Sequence, residues 1–189
     1  MRNIFYTSTI ILFSIYIVKG ISMQEMYNNA LPTEKYNKLI ILENNVLYTG
    51  GFTQHVEKVC IEGNGAIIDL QGENILLDGE NKEILIHHCI LLSTKPYGNY
   101  VLLKNNATGL FFNNTFYSIK DSVASATCLR FEECTYGTNS IFNNIFVNFS
   151  EAVFFYTMDY EAGINLEISY NDIWNCPKGS PSYNPVSAE

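Results

Sequence analysis

Positive charge is scarce in this chain. Its 189 residues include 11 Lys and Arg against 19 Asp and Glu, a formal net charge of −8, and the cations never gather into a run. Nucleic-acid binding needs clustered basic groups to neutralise phosphates, so that class of partner is excluded. Cysteine is also sparse. Cys60, Cys89, Cys128, Cys134 and Cys176 are odd in number and irregular in spacing. Neither a full disulfide framework nor the paired ligands of a zinc site fits them. They read as small buried hydrophobes, with one bridge formed if the protein is exported. Apolar spacing of three and four residues, the mark of an amphipathic helix, is missing from the body of the chain. A long apolar run is missing too, because Ile4–Val18 falls short of the ~20 residues of a membrane span.

What is present starts with that short run. Arg2 precedes it and Gly20-Ile21-Ser22 follows it with small-x-small spacing, so residues 1–22 read as a signal peptide. Removing them takes away Arg2 and Lys19 and no acid, which moves the charge from −8 to −10. The expectation is an acidic, secreted or cell-surface protein with no membrane attachment after cleavage. A hydrophobic fraction of 47% and an aromatic fraction of 14% exclude disorder, and the length suits one domain with one core.

The aromatic residues repeat in a pattern. GLFFNNTFYS at 109–118, SIFNNIFVNF at 140–149 and ISYNDIWNC at 168–176 each place a polar pair inside an apolar stretch. With His88, Asn114, Asn144 and Asp172 as the reference, the intervals are 26, 30 and 28 residues. Apolar residues recur two positions before (Ile86, Phe112, Phe142, Tyr170) and two after (Ile90, Phe116, Phe146, Trp174). Spacing of two on both sides predicts strands. A second column, ILLDG at 75, VLLKN at 101, LRFEE at 129 and VFFYT at 153, runs in phase with intervals of 26, 28 and 24. An internal repeat of 24–30 residues with two or three short strands predicts an all-β solenoid, whose coils stack ~4.8 Å apart into parallel sheets. Asn tolerates the left-handed backbone needed at a bend, and stacked amides can bond along the axis. His88, Asn114, Asn144 and Asp172 are therefore expected to be structural corners, with His87 beside His88 as part of the same corner. The expected organisation is a lead-in over 23–44, a solenoid over 45–176 and a tail over 177–189.

IEGNGAIIDLQG at 61–72, followed by coils with N-N-x-F or N-D-x-W corners, resembles the pectin-lyase-like superfamily. The resemblance covers about residues 45–176. It implies a single right-handed parallel β-helix of about five coils. Members usually have more coils, so a chain ending at YNPVSAE reads as truncated at its C-terminus or as a short member with a covered last coil. An uncovered last coil would favour end-to-end self-association.

The second column places Leu76, Leu102, Arg130 and Phe154 outward, then Asp78, Lys104, Glu132 and Tyr156. Family lyases bind Ca²⁺ through acids on neighbouring coils and abstract a proton with Arg or Lys. The resemblance therefore nominates Lys104 or Arg130 as a base and Ca²⁺ as the cofactor of a lyase. Only Asp78 and Glu132 are acidic in this register, two coils apart, so the residues themselves require no cofactor. The alternative is an ion-pair ladder between coils. A hydrolase would need two carboxylates at close, defined separation, and the family's N-T-D and D-D stretches do not occur. Asp159 and Glu161 read as part of a solvated loop. A long flat face also suits an extended polysaccharide, with Phe154, Tyr156 and Tyr160 stacking on sugars and Asp78, Lys104, Arg130 and Glu132 bonding polar groups. The expected function is a carbohydrate-binding module, the first alternative a polysaccharide lyase or a fragment of one, and the second a structural or adhesive solenoid.

Overall fold

The computed structural model describes residues 20–95, 98–119, 126–157, 165–178 and, for the backbone, 182–185. The expected signal segment lies outside the described residues up to position 19, as do Asp159, Tyr160 and Glu161. A short strand β1 (Ile21–Ser22) and a helix α1 (Met23–Asn29) lead in. The chain then winds six times. The first coil holds β2 (Lys38–Ile41), β3 (Leu47–Thr49) and β4 (Phe52–Gln54), and the second β5 (Lys58–Glu62), β6 (Ile67–Asp69) and β7 (Ile75–Asp78). The third holds β8 (Glu83–His87), β9 (Ile90–Ser93) and β10 (Gly98–Lys104). The fourth holds β11 (Thr108–Phe112), β12 (Thr115–Ser118) and β13 (Ala126–Glu132). The fifth holds β14 (Asn139–Phe142), β15 (Ile145–Val147) and β16 (Glu151–Thr157), and the sixth β17 (Leu166–Ser169), β18 (Asp172–Trp174) and β19 (Ser182–Pro185).

Every strand pairs in parallel with its equivalent in the coils above and below. The result is three sheets: sheet I from β2 to β17, sheet II from β1 and β3 to β18, and sheet III from β4 to β19. This all-β parallel solenoid is the fold that the spacing predicts. It has about six turns rather than about five. The additional coil starts at Lys38, inside the expected lead-in, and β19 falls inside the expected tail.

A solenoid needs its first coil covered, and α1 provides the cover. Ser22 caps the helix by accepting a hydrogen bond from the Glu25 N–H. Met23 and Tyr27 point down and are buried, and Tyr27 stacks on Phe52 with ring centroids 4.6 Å apart. The Tyr27 hydroxyl accepts from the His55 N–H at 2.7 Å. Ile21 and Ser22 of the site expected to be cleaved are thereby part of β1 and the cap.

Inside, equivalent side chains stack. Phe116 lies on Phe146 (5.0 Å, 7°) and Phe131 on Phe155 (4.4 Å, 9°). Offset-stacked rings add about 0.5–1.5 kcal/mol per pair beyond their burial. Phe111 has room because Gly109 does not carry a Cβ, which would fall 2.4 Å from the ring. All five cysteines are free and buried, as small core residues should be.

The bends between sheets I and II explain the paired amides, and they correct the register. From the third coil onward each bend has two residues, with different tasks. The first adopts the left-handed conformation: His88 (φ 54), Asn113 (φ 55), Asn143 (φ 55) and Tyr170 (φ 56). The second turns inward: Cys89, Asn114, Asn144 and Asn171. His88 and Asp172 were expected in line with Asn114 and Asn144, and each is displaced by one residue. His88 aligns with Asn113, while Asp172 pairs with Ile145 on the exposed side of β18. The aromatic columns shift likewise. Phe112 stacks on Phe142 (5.2 Å, 3°) and on His87 (4.9 Å, 2°), not on Ile86, and Ser169 rather than Tyr170 follows Phe142. Tyr170 is 89% exposed.

The inward amides form a ladder. Asn114 Oδ1 accepts the Cys89 N–H (3.0 Å), Asn144 Oδ1 the Asn114 N–H (3.0 Å) and Asn171 Oδ1 the Asn144 N–H (2.9 Å). Their Nδ2 groups donate to the carbonyls of Ile86, Phe111 and Ile141 at 2.8, 2.9 and 2.8 Å. Each amide thus satisfies one N–H and one C=O of the preceding coil that the turning backbone takes out of the sheet. A buried group left bare costs about 1–3 kcal/mol. Replacing Asn144 by Ala should lower stability by ~2–4 kcal/mol, whereas Asn143→Gly, which keeps the left-handed turn, should change it by less than ~1 kcal/mol. Urea unfolding followed by circular dichroism measures both.

Candidate functional site

Sheet III carries the outward columns in the register that the spacing predicts. Leu76, Leu102, Arg130 and Phe154 align on successive strands, and so do Asp78, Lys104, Glu132 and Tyr156. The charged members engage one another. Glu132 receives Lys104 Nζ at 3.1 Å on Oε2 and Arg130 Nε at 2.6 Å on Oε1. The Arg130 guanidinium also lies 4.9 Å from the centre of the Phe154 ring, which is 9% exposed. Asp78 Oδ1 accepts from Asn105 Nδ2 at 2.7 Å. Both candidate bases are thus held by one carboxylate, and Phe154 has little ring surface open to a sugar. Tyr156 is half-buried on the strand beyond.

This arrangement does not suit Ca²⁺. The ion takes six to eight oxygens at 2.3–2.6 Å. Glu132 is neutralised by two cations, and Asp78 lies two strands away beyond Lys104. Partial burial opposes ionisation of Glu132, but hydrogen bonds and charge from Lys104 and Arg130 outweigh it and hold the carboxyl below its usual value.

A second feature lies where the chain passes from sheet III to sheet I. A groove of about 490 Å³ is lined by Glu57, Lys58, Glu80, Glu83, Asn106 and Tyr136, among others. Its neighbour of about 420 Å³ shares Glu83, Thr108 and Gly137 and adds Leu110, Thr138 and Ser140. These residues come from four successive bends and the first residues of the strands that follow them, so the depression follows the solenoid axis over three inter-coil steps, about 14 Å at the usual strand spacing. Glu57, Glu80 and Glu83 make it acidic, and Lys58 Nζ offsets part of that charge by pairing with Glu83 Oε2 at 3.3 Å. Tyr136 forms a wall and is 70% exposed. Asn106 anchors it, since Asn106 Oδ1 accepts the N–H groups of Thr135 and Tyr136 at 2.9 and 3.1 Å.

Sequence reasoning missed this groove. Several of its residues sit in GENKE (79–83) and TYGTN (135–139), segments with turn composition and no strand period. The available signal was that these bends are polar and recur in phase with the coils.

His87 and His88 occupy a corner, as expected, on the outside between sheets I and II. His87 Nδ1 lies 2.8 Å from His88 Nδ1, and His88 Nε2 lies 3.0 Å from Asn113 Nδ2. Among the described residues, no group of three or more His, Cys, Asp or Glu is placed to hold a metal ion, and no helix is long and apolar enough to cross a membrane. Comparison with protein-family models, curated proteins and solved structures finds no match to the chain.

The ion-pair cluster makes a testable contribution to stability. An acid held below its ordinary value stabilises the fold above its unfolded pKa of ~4.3, and that contribution is lost as pH falls through the lowered folded value. Acid titration of stability should therefore show a loss below pH ~4.3 that is diminished in Glu132→Gln, as read by thermal melts at stepped pH.

Proposed function

We propose that this chain is a carbohydrate-binding solenoid of the pectin-lyase-like kind, working outside the cell or at its surface after removal of a leader that ends before β1. It holds an extended glycan in the groove between sheets III and I. The observation that carries this reading is the axial groove itself, with carboxylates, amides and hydroxyls from four successive bends beside the exposed Tyr136. An extended sugar chain repeats its hydroxyls along its length, so a surface that repeats polar groups along its own axis can meet them in register. The exposed ring supplies an apolar face, and the surrounding polar groups fix orientation. Three carboxylates against one lysine favour neutral or amino-bearing sugars over polyuronates.

The same charge balance weighs against the lyase alternative, whose substrates are polyanions. Glu132 also engages both nominated bases, Lys104 and Arg130. The assembly reading keeps one specific support. Tyr170 and Trp174, 89% and 73% exposed, lie on the outside of the sixth coil and present an aromatic surface for association with another chain.

Affinity electrophoresis tests the reading against three polymers: a neutral β-glucan, chitosan and polygalacturonate. The expected result is retardation by either of the first two without release of unsaturated product. Tyr136→Ala should weaken retardation roughly 2–10-fold, the equivalent of one aromatic contact of ~0.5–1.5 kcal/mol, while Tyr156→Ala should leave it unchanged. Absence of retardation by all three polymers, or release of unsaturated product from polygalacturonate, would overturn it.

A further inference from the structure

The corner at His87 and His88 contains a continuous hydrogen-bond chain whose direction is set by its amides. Asn143 Nδ2 donates to Asn113 Oδ1. Asn113 Nδ2 is therefore directed at His88 Nε2, 3.0 Å away. An amide nitrogen can only donate, so His88 Nε2 must be bare. A neutral His88 then carries its hydrogen on Nδ1 and donates it to His87 Nδ1 at 2.8 Å. That leaves the His87 hydrogen on Nε2, facing Cys60 Sγ at 3.8 Å. The chain thus fixes both tautomers when the rings are neutral.

Each bare nitrogen in the chain already accepts a hydrogen bond, so an added proton must displace a donor. At His88 Nε2 the new N–H meets the Asn113 amide nitrogen. The conflict is relieved when Asn113 turns its amide to present Oδ1. Its Nδ2 then faces Asn143 Nδ2, and Asn143 must turn as well. No other hydrogen bond described for these two amides opposes the turn. His88 Nδ1 continues to donate to His87 Nδ1 throughout. A second proton has no such outlet, because two N–H groups cannot face each other at this separation.

We propose that the His87–His88 corner is a proton-operated switch, in which one proton taken up at His88 Nε2 reverses the hydrogen-bond direction of the outer Asn113–Asn143 column and a second forces the two imidazoles apart.

The surroundings agree with this order. Glu62 pairs with His87 across the sheet, Cys60 lies on the same strand β5, and Lys35 and Tyr36 of the lead-in act on Cys60. From β11 and the bend after it come Phe112, stacked on His87, and Asn113. Burial and then His88 push the His87 imidazole below its usual value, with Glu62 opposing. Burial also pushes the Cys60 thiol up to about 11, so it stays protonated and neutral around neutral pH. A base held below its ordinary value stabilises the fold above an unfolded pKa of ~6.5, and that support is lost as pH falls through the folded value. The switch is thus set for acidification.

Nitrogen-15 NMR of the histidine rings and the asparagine side-chain amides, from pH 8 to 4.5, tests the proposal. At pH 8, His88 Nε2 and His87 Nδ1 should show bare-nitrogen shifts and their ring partners N–H shifts. On acidification the Asn113 and Asn143 amide resonances should move with the same midpoint as His88. In His88→Asn the amide resonances should become independent of pH over this range. Opposite tautomers at pH 8, or Asn113 and Asn143 resonances that stay fixed while His88 titrates, would overturn the proposal. The wild-type titration decides this even if the variant does not fold.

Discussion

The bend between sheets I and II is the constraint from which the rest of the architecture follows. A two-residue turn between parallel sheets is compact, but from the third coil onward it withdraws an N–H and a C=O from the regular ladder at each coil. Water cannot reach these groups, because Asn114 and Asn144 are buried. The inward amides of Asn114, Asn144 and Asn171 complete the missing bonds and in doing so tie each coil to the one before it. Hydrophobic stacking supplies the larger energy and excludes a slip of one residue, which would turn the apolar side chains outward. The amides add to it by fixing where each turn falls, since Asn114, Asn144 and Asn171 each bond one N–H and one C=O of the preceding coil.

Fixing the register on the inside determines what the outside displays. On sheet III, successive strands bring Lys104, Glu132 and Arg130 together, and the charges neutralise one another. At the start of sheet I, by contrast, Glu57, Glu80 and Glu83 face a groove that Lys58 neutralises only in part. The two surfaces differ because strands place equivalent residues directly opposite each other, where opposite charges attract, as Lys58 and Glu83 do at the groove's edge, whereas Glu57 and Glu80 sit in bends of unequal length. A binding reading therefore fits the bends better than the flat face of sheet III.

Much of the fold was legible in the sequence because spacing of two, repeated every 24–30 residues, has few structural solutions. The second column, from Leu76 to Phe154 and from Asp78 to Tyr156, pairs as the intervals predict. The first column slipped at its ends for a physical reason. Both residues of an Asn-Asn doublet look alike in sequence, although one is left-handed and exposed and the other buried. His88-Cys89 and Tyr170-Asn171 perform the same two tasks with different residues, so alignment on the polar side chain chose the wrong member. The first coil escaped notice because Asn44-Asn45 lies in a five-residue bend. There Asn45 takes the left-handed position and Val46, not an amide, follows it. The groove was hidden because no period marks residues whose common feature is the bend they occupy.

The central claim is that buried side-chain amides, rather than strand pairing, hold the bend backbone. Native-state hydrogen exchange of the Cys89, Asn114 and Asn144 backbone amides tests it most directly. These three N–H groups lie in turns, yet the account predicts exchange as slow as that of the core strand amides at Phe111 and Phe116. Exchange within minutes at neutral pH, with the strands still protected, would contradict it.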